Sequence, residues 1–193
     1  MNGRPLKVVL LGPPGAGKGT QAQLLSARLG VPAISTGDML REAVAAGSDL
    51  GRRVEGIMAA GKLVDDELMA EVVRDRLEKP DARRGYLLDG YPRTLPQAKT
   101  LEGILTEAGQ ELDAVVMVDV PVDELVRRSL LRGRADDTEE VIRERQRVYR
   151  EKTEPLIGYY RGRGLLREID GHRPVDEVTA HVFAALGLGE DIP

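Results

Sequence analysis

The run Gly12-Pro-Pro-Gly-Ala-Gly17-Lys18 constrains this chain more than any other stretch. It follows Val8 to Leu11, a short apolar run rich in β-branched residues that reads as a buried parallel strand. It precedes a helical pattern from Thr20, with Ala22, Leu24, Leu25 and Leu29 as apolar positions and Gly30 as the stop. A strand, a G-x-x-x-x-G-K loop and a helix in that order form a phosphate cradle. Glycines let backbone N–H groups curl round the anion, the helix start adds partial positive charge, and Lys18 supplies an ammonium for the β- and γ-phosphates. One position departs from the usual motif: Gly19 stands where Ser or Thr commonly ligates Mg²⁺, with Thr20 one place later. An Mg²⁺ ion is therefore expected to be held mostly by nucleotide phosphates and water, with Asp89, at the carboxyl end of another apolar strand, orienting the water.

The rest of the chain continues the strand and helix alternation. Strands are expected at Val31–Ile34, Tyr86–Asp89, Ala114–Asp119 and Leu165–Asp170. Helices are expected at Met39–Ala46, from Asp65 and Asp66 to about Glu78, and from Leu95 to Ala108, where Pro96 is tolerable only in the first turn. Further helices fit Asp123–Leu131, Thr138–Lys152, Pro155–Arg161 and Val175–Leu186, with 189–193 as a loose tail. Glycines at 47, 51, 56 and 61 point to one or two short helices between 47 and 61. Strands apolar on both faces and separated by helices imply an α/β domain, a parallel sheet covered by helices.

Composition narrows the chemistry. No Cys and two His in 193 residues exclude a disulfide framework, a thiolate nucleophile and a Cys-based zinc site. A net charge of −4 argues against a generally basic nucleic-acid binder. The apolar run near the N-terminus is too short for a signal-peptide core or a membrane span, so a cytoplasmic protein is expected. Among the basic residues 22 are Arg and six are Lys, a bias toward planar, permanently charged donors that suit phosphates; coding bias or heat adaptation produces the same excess.

The phosphate loop through Gln21, Ser35-Thr-Gly-Asp-Met-Leu-Arg41, Asp89-Gly-Tyr-Pro-Arg-Thr94 and Gly133-Arg-Ala-Asp-Asp-Thr-Glu-Glu140 together resemble adenylate kinases, from about Lys7 to Leu186. The resemblance implies a P-loop NTPase-type, five-stranded parallel sheet flanked by helices, and reversible Mg²⁺-dependent phosphoryl transfer between ATP and AMP. It divides one compact chain into core (1–34, 65–130, 138–193), an AMP-binding segment (35–64) and a short lid (131–137). Longer-lid members insert residues between the positions of Arg132 and Arg134, sometimes with a four-cysteine zinc site. Only Gly133 lies there in this chain, so no structural zinc is expected.

Carried over by position, the resemblance assigns Gly15, Ala16, Gly17, Lys18, Gly19 and Thr20 to ATP phosphates. Arg132 is assigned to ATP as well, Arg128 to an ATP phosphate, and Arg173 to the adenine through its backbone. Thr36, Arg41, Lys62, Leu63, Val64, Gly90, Tyr91, Pro92, Arg93 and Gln97 fall to the AMP pocket, where Gln97 resembles the side chain that reads the adenine edge. Arg134 and Arg145 match arginines that reach across to phosphates. Tyr91 replaces a frequent Phe, and Asp65 stands where Thr or Pro is common. Asp136 and Asp137 either pair with lid arginines or cap the helix that follows.

These residues suit the reaction. Phosphoryl transfer needs in-line positioning and charge neutralisation, and a phosphate monoester with a second pKa of about 6 is already dianionic at neutral pH, so no general base is required. His172 and His181 are then structural or surface groups. Outside the motifs, Arg52, Arg53, Arg74, Arg76, Arg83 and Arg84 read as solvated surface residues. The expected partners are ATP, AMP and ADP, with no nucleic acid and no membrane, for a monomer. The rival readings are a kinase of UMP or CMP, since phosphate arginines do not discriminate bases, and a non-catalytic P-loop module that binds nucleotide without transfer.

Overall fold

The computed structural model describes residues 6–134 and 137–189. Five strands, β1 (Lys7–Leu11), β2 (Ala33–Ser35), β3 (Tyr86–Asp89), β4 (Ala114–Asp119) and β5 (Leu166–Asp170), pair in the order β2-β3-β1-β4-β5, every pair parallel. The sheet divides its side chains by the two-residue period of a strand. Val9 and Leu11, Tyr86 and Leu88, and Val115 and Met117 enter one core, while Val8 and Leu10, Leu87, and Val116 and Val118 enter the other. Both faces are buried, which accounts for the unbroken apolar runs in the sequence.

Helices α1 (Lys18–Leu29), α6 (Val122–Arg132) and α9 (Val175–Ala185) contribute Leu25, Leu125, Val178 and Val182 to the second core. The first core takes Met69 and Val73 from α4 (Asp66–Leu77), Ala98 and Leu101 from α5 (Leu95–Glu107), and Leu156 and Tyr160 from α8 (Pro155–Gly162). Between β2 and α4 lie α2 (Thr36–Ala45) and α3 (Asp49–Ala59). The last helix to be placed is α7 (Glu139–Val148).

Three local readings are refined. The motif Ser35-Thr-Gly-Asp38 is not a loop ahead of a helix: Ser35 Oγ accepts from the Asp38 N–H at 3.2 Å, and α2 starts at Thr36. Residues 49–59 form the single helix α3, because Gly51 and Gly56 lie inside it; a Cβ at Gly51 would come within 2.1 Å of the Ala43 carbonyl of α2. The expected helix over 138–152 leaves α-geometry at Tyr149, and a π-turn over Tyr149–Thr153 joins α7 to α8.

The expected lid, 131–137, is described at 131–134 and 137; Asp136 and 190–193 of the expected tail lie outside the described residues. Among the described residues, no helix is long and apolar enough to cross a membrane.

Candidate active site

Register sets the floor of the site. Leu10 of β1 and Ser35 of β2 both pair with Asp89, so three strands finish side by side and deliver the phosphate loop, the start of α2 and Asp89 to one edge. Strand order turns about β1, where ligands of open α/β sheets bind beyond the carboxyl ends. A cleft of about 870 Å³ opens there. Its walls include every residue assigned above to ATP, AMP or Mg²⁺ except Tyr91. The Tyr91 ring is 1% exposed and packs in the first core, so only its neighbours Gly90 and Pro92 reach the cleft, across a cis Tyr91–Pro92 bond. Burial, with the Asp66 carboxylate adding to it, pushes the Tyr91 hydroxyl up to about 12.

The phosphate loop is shaped by close approach. Gly15 has φ +90°, and a Cβ there would lie 2.8 Å from both the Leu125 carbonyl and Ser129 Oγ of α6. Gln146 of α7 ties the loop from the other side, donating from Nε2 to the Pro14 carbonyl at 2.8 Å. Lys18 begins α1, and its Nζ donates back to the Pro13 carbonyl at 3.1 Å. Burial pulls the Lys18 ammonium below the usual lysine range; Asp89 opposes this, and Arg93, Arg132 and Arg134 push it further down. A Cβ placed on Gly19 would stand 3.9 Å from Asp89 Oδ2, so the open position left by Gly19 faces the carboxylate.

The cations of the cleft depress one another. Burial lowers Arg93, and Arg145 and Arg41 lower it further against the pull of Asp89. Burial likewise lowers Arg134, aided by Arg41 and Arg132 and opposed by Asp38 and Asp137. Such mutual repulsion is unfavourable until a polyanion enters, so the cleft is built for clustered negative charge. Arg93 is aimed by its own loop, donating from Nε to the Gly90 carbonyl at 2.7 Å. Asp38 accepts from Arg41 of its own helix and from Arg134 Nη2 at 3.4 Å, which joins the start of α2 to the segment after α6.

Asp137 resolves one alternative. Thr138, not Asp137, caps α7 by accepting from the Val141 N–H. The Asp137 side chain, 0% exposed, accepts from Arg132 Nη2 at 2.7 Å, Arg145 Nη1 at 3.1 Å and the Arg134 N–H at 3.1 Å. Desolvation alone would raise its pKa, but hydrogen bonding and charge from Arg132, with Arg134 and Arg145, hold the carboxyl below the usual range.

Arg128 stands apart from this group. Its Nε donates to Glu124 at 2.7 Å and its Nη1 to the Gly171 carbonyl at 3.1 Å, beside the loop that carries Arg173. His172 and His181 are exposed. Arg74, Arg76 and Arg52 pair at the surface with Glu107, Asp81 and Asp49.

Sequence reasoning missed four contributors: Asp66, Thr153, Gln146, and Asp38 as more than a motif letter. Thr153 Oγ1 donates to the Arg93 carbonyl at 2.8 Å, and Asp66 Oδ1 accepts from Gln97 Nε2 at 2.7 Å. Their partners lie 60 and 31 residues away in the chain, and no local signal marks them.

Comparisons with known proteins give matches over most of the chain. A family model described as Adenylate kinase matches residues 10–165. A protein of Thermus thermophilus named "Adenylate kinase" is 54% identical over 185 residues, covering 94% of this chain and 97% of its own. One of the same name from Nocardia farcinica is 53% identical over 182 residues, covering 94% and 99%. Another from Kosmotoga olearia is 45% identical over 212 aligned positions, again covering 94% and 99%.

Proposed function

The chain belongs to the adenylate kinase family and is an ATP:AMP phosphotransferase, and from that premise we propose how its residues divide the reaction ATP + AMP to 2 ADP. The observation that carries the division is the convergence of Lys18, Arg41, Arg93, Arg132, Arg134 and Arg145 on one cleft.

Gly15 to Thr20 cradle the ATP phosphates, with Lys18 swinging from the Pro13 carbonyl onto the transferring group. Arg41 and Arg93 hold the AMP phosphate, and Arg132, Arg134 and Arg145 neutralise the oxygens of the phosphoryl group in flight. Arg173 walls the nucleoside end of ATP, and we place Arg128 there too rather than on an ATP phosphate as the resemblance assigned it, because its Nη1 is held by the Gly171 carbonyl. Thr36, Lys62, Leu63, Val64, Gly90, Pro92 and Gln97 line the AMP side.

An oxygen of the AMP phosphate attacks the γ-phosphorus while the bond from that phosphorus to the β–γ bridging oxygen breaks, and its electron pair leaves with ADP. The nucleophile is already ionised at neutral pH, so no side chain needs to remove a proton. Mg²⁺ bound with ATP would offset charge on the transferring phosphates, and Asp89 is the residue that would hold it, through water. The open position at Gly19 beside Asp89 suits water between carboxylate and ion, and we assign Asp89 to that role.

Residues 35–64 and 131–137 act as the AMP-binding segment and the lid, closing over the core to exclude water from the γ-phosphate. The Asp38–Arg134 pair supports this division, since it spans the two. The reading includes a monomer in the cytoplasm without nucleic-acid or membrane partners; the net charge of −4 supports the part that concerns nucleic acid.

Purified protein incubated with MgATP and, separately, AMP, CMP, UMP or GMP is expected to form ADP fastest with AMP. Failure to make ADP from AMP would overturn the proposal. Faster turnover of CMP or UMP would move the assignment to another nucleoside monophosphate kinase.

A further inference from the structure

Gln97 is the third residue of α5 and only 2% exposed, yet it is one of the residues that line the cleft. Both ends of the amide are held. Oε1 accepts from the Arg93 backbone N–H at 2.7 Å, and Nε2 donates to Asp66 Oδ1 at 2.7 Å. A backbone N–H can only donate and a carboxylate can only accept, so the amide sits one way round. The latch is closed on the helix itself: Thr94 Oγ1 lies 3.3 Å from Asp66 Oδ2 and accepts from the Gln97 N–H at 3.2 Å. A carboxamide has two N–H groups and two lone pairs on oxygen, so one donor and one acceptor remain free.

We propose that Asp66 is a specificity-determining positioning residue: by fixing which way round the Gln97 carboxamide sits, it makes the AMP side accept a 6-amino purine and reject a 6-oxo purine. The proposal rests on Gln97 facing the base of the acceptor nucleotide, as assigned above. An adenine edge offers the N6 amine as donor beside N1 as acceptor, which matches the lone pair and N–H left on the amide. A 6-oxo purine reverses the pattern, an acceptor at O6 beside a donor at N1, and meets carbonyl with carbonyl and N–H with N–H. A carboxamide free to turn over accommodates both edges; the latched one does not. Turning it in place would press Oε1 against the Asp66 carboxylate and Nε2 against the Arg93 N–H. The first clash is with a charge, which makes Asp66 the stronger of the two latches.

A structural alternative exists, because Thr94-x-x-Gln97 has the sequence of a helix capping box, although Oε1 takes the Arg93 N–H. A capping glutamine affects stability and leaves base choice alone. Asp65 already performs the capping of α4, accepting from the Glu67 N–H at 2.9 Å and the Leu68 N–H at 3.2 Å, so Asp66 is not needed for that.

The test is the ratio of kcat/KM for AMP to that for IMP, the 6-oxo analogue with the same sugar and phosphate, at saturating MgATP. Parent, Asp66→Asn, Asp66→Ser, Gln97→Leu and the double variant Asp66→Asn with Gln97→Leu are compared. A ratio is insensitive to the fraction of folded enzyme, so partial unfolding does not imitate the effect. Both Asp66 variants are expected to lower the ratio by about tenfold or more, with KM for ATP unchanged, and the double variant is expected to match Gln97→Leu. A ratio within about twofold of the parent in both Asp66 variants, while Gln97→Leu collapses it, overturns the proposal and leaves base reading by Gln97 intact. An unchanged ratio in Gln97→Leu overturns the assignment on which the proposal rests.

Discussion

Thr153 Oγ1 donates to the backbone carbonyl of Arg93 at 2.8 Å, linking the π-turn after α7 to the loop that aims an arginine into the cleft. The Arg93 peptide is thereby held at both ends, since its N–H is taken by Gln97. Thr153→Val keeps the shape and removes the donor, leaving a part-buried carbonyl unpaired. A stability loss of about 1–2 kcal/mol is expected in urea unfolding, together with a rise in KM for AMP and little change in KM for ATP.

Asp137 gathers Arg132, Arg145 and the Arg134 N–H around an enclosed carboxylate. Asp137→Asn removes the charge that holds these cations together. Stopped-assay kinetics are expected to show kcat lower by about tenfold, because the arginines are no longer preorganised for the transferring phosphoryl group. A variant as fast as the parent would assign Asp137 to stability alone.

Acid should weaken the fold through carboxylates held below their ordinary values. Hydrogen bonds from Arg127 and Arg128 bring Glu124 from 4.5 down to about 2, and arginines depress Asp137 below 3.8. A depressed folded pKa means stability fully present above the unfolded value and lost as pH falls through the folded one. Unfolding midpoints are therefore expected to decline from pH 4.5 toward about 2. Glu124→Gln should flatten part of that decline, and added salt should shrink it.

Arg134→Ala removes a group assigned to transition-state charge. A fall of about 10²–10³ in kcat is expected, with nucleotide binding far less affected. A forward rate within about twofold of the parent would remove Arg134 from that role.

Gly90 has φ +86°, and a Cβ there would lie 2.6 Å from Thr36 Oγ1 and 3.1 Å from Arg93 Nη2. Gly90→Ala is expected to cost about 1–3 kcal/mol and to displace Thr36 and Arg93 together, lowering kcat/KM for AMP more than for ATP.

The phosphate loop, the parallel sheet and nearly all the arginines of the cleft were legible in the amino-acid order. Their signals are local: the G-x-x-x-x-G-K spacing from Gly12 to Lys18 is complete within a few residues, and β1, β3 and β4 announce burial on both faces by unbroken apolar runs. Only the ends of elements shifted, as at Thr36, where Ser35 caps a helix earlier than apolar periodicity suggests. Tyr91 failed for a related reason, since a motif letter does not say that the ring turns into the core while its neighbours line the cleft.

Asp65 and Asp66 mark what lay beyond the sequence. They are chemically alike and adjacent, and both suit a helix start. Packing α5 against α4 brings Gln97 to Asp66, so one aspartate caps a helix while the next orients an amide 31 residues away. Asp137 and Thr153 follow the same rule, being ordinary polar residues until the turn into α7 and the π-turn carry them to arginines. The sequence by itself determined an α/β chain with a G-x-x-x-x-G-K loop and arginines set in motifs, because those properties depend on residue type and short-range spacing. Tertiary structure alone decided which polar residue holds which, because hydrogen-bond partners are chosen by where the chain folds back, within about 3 Å.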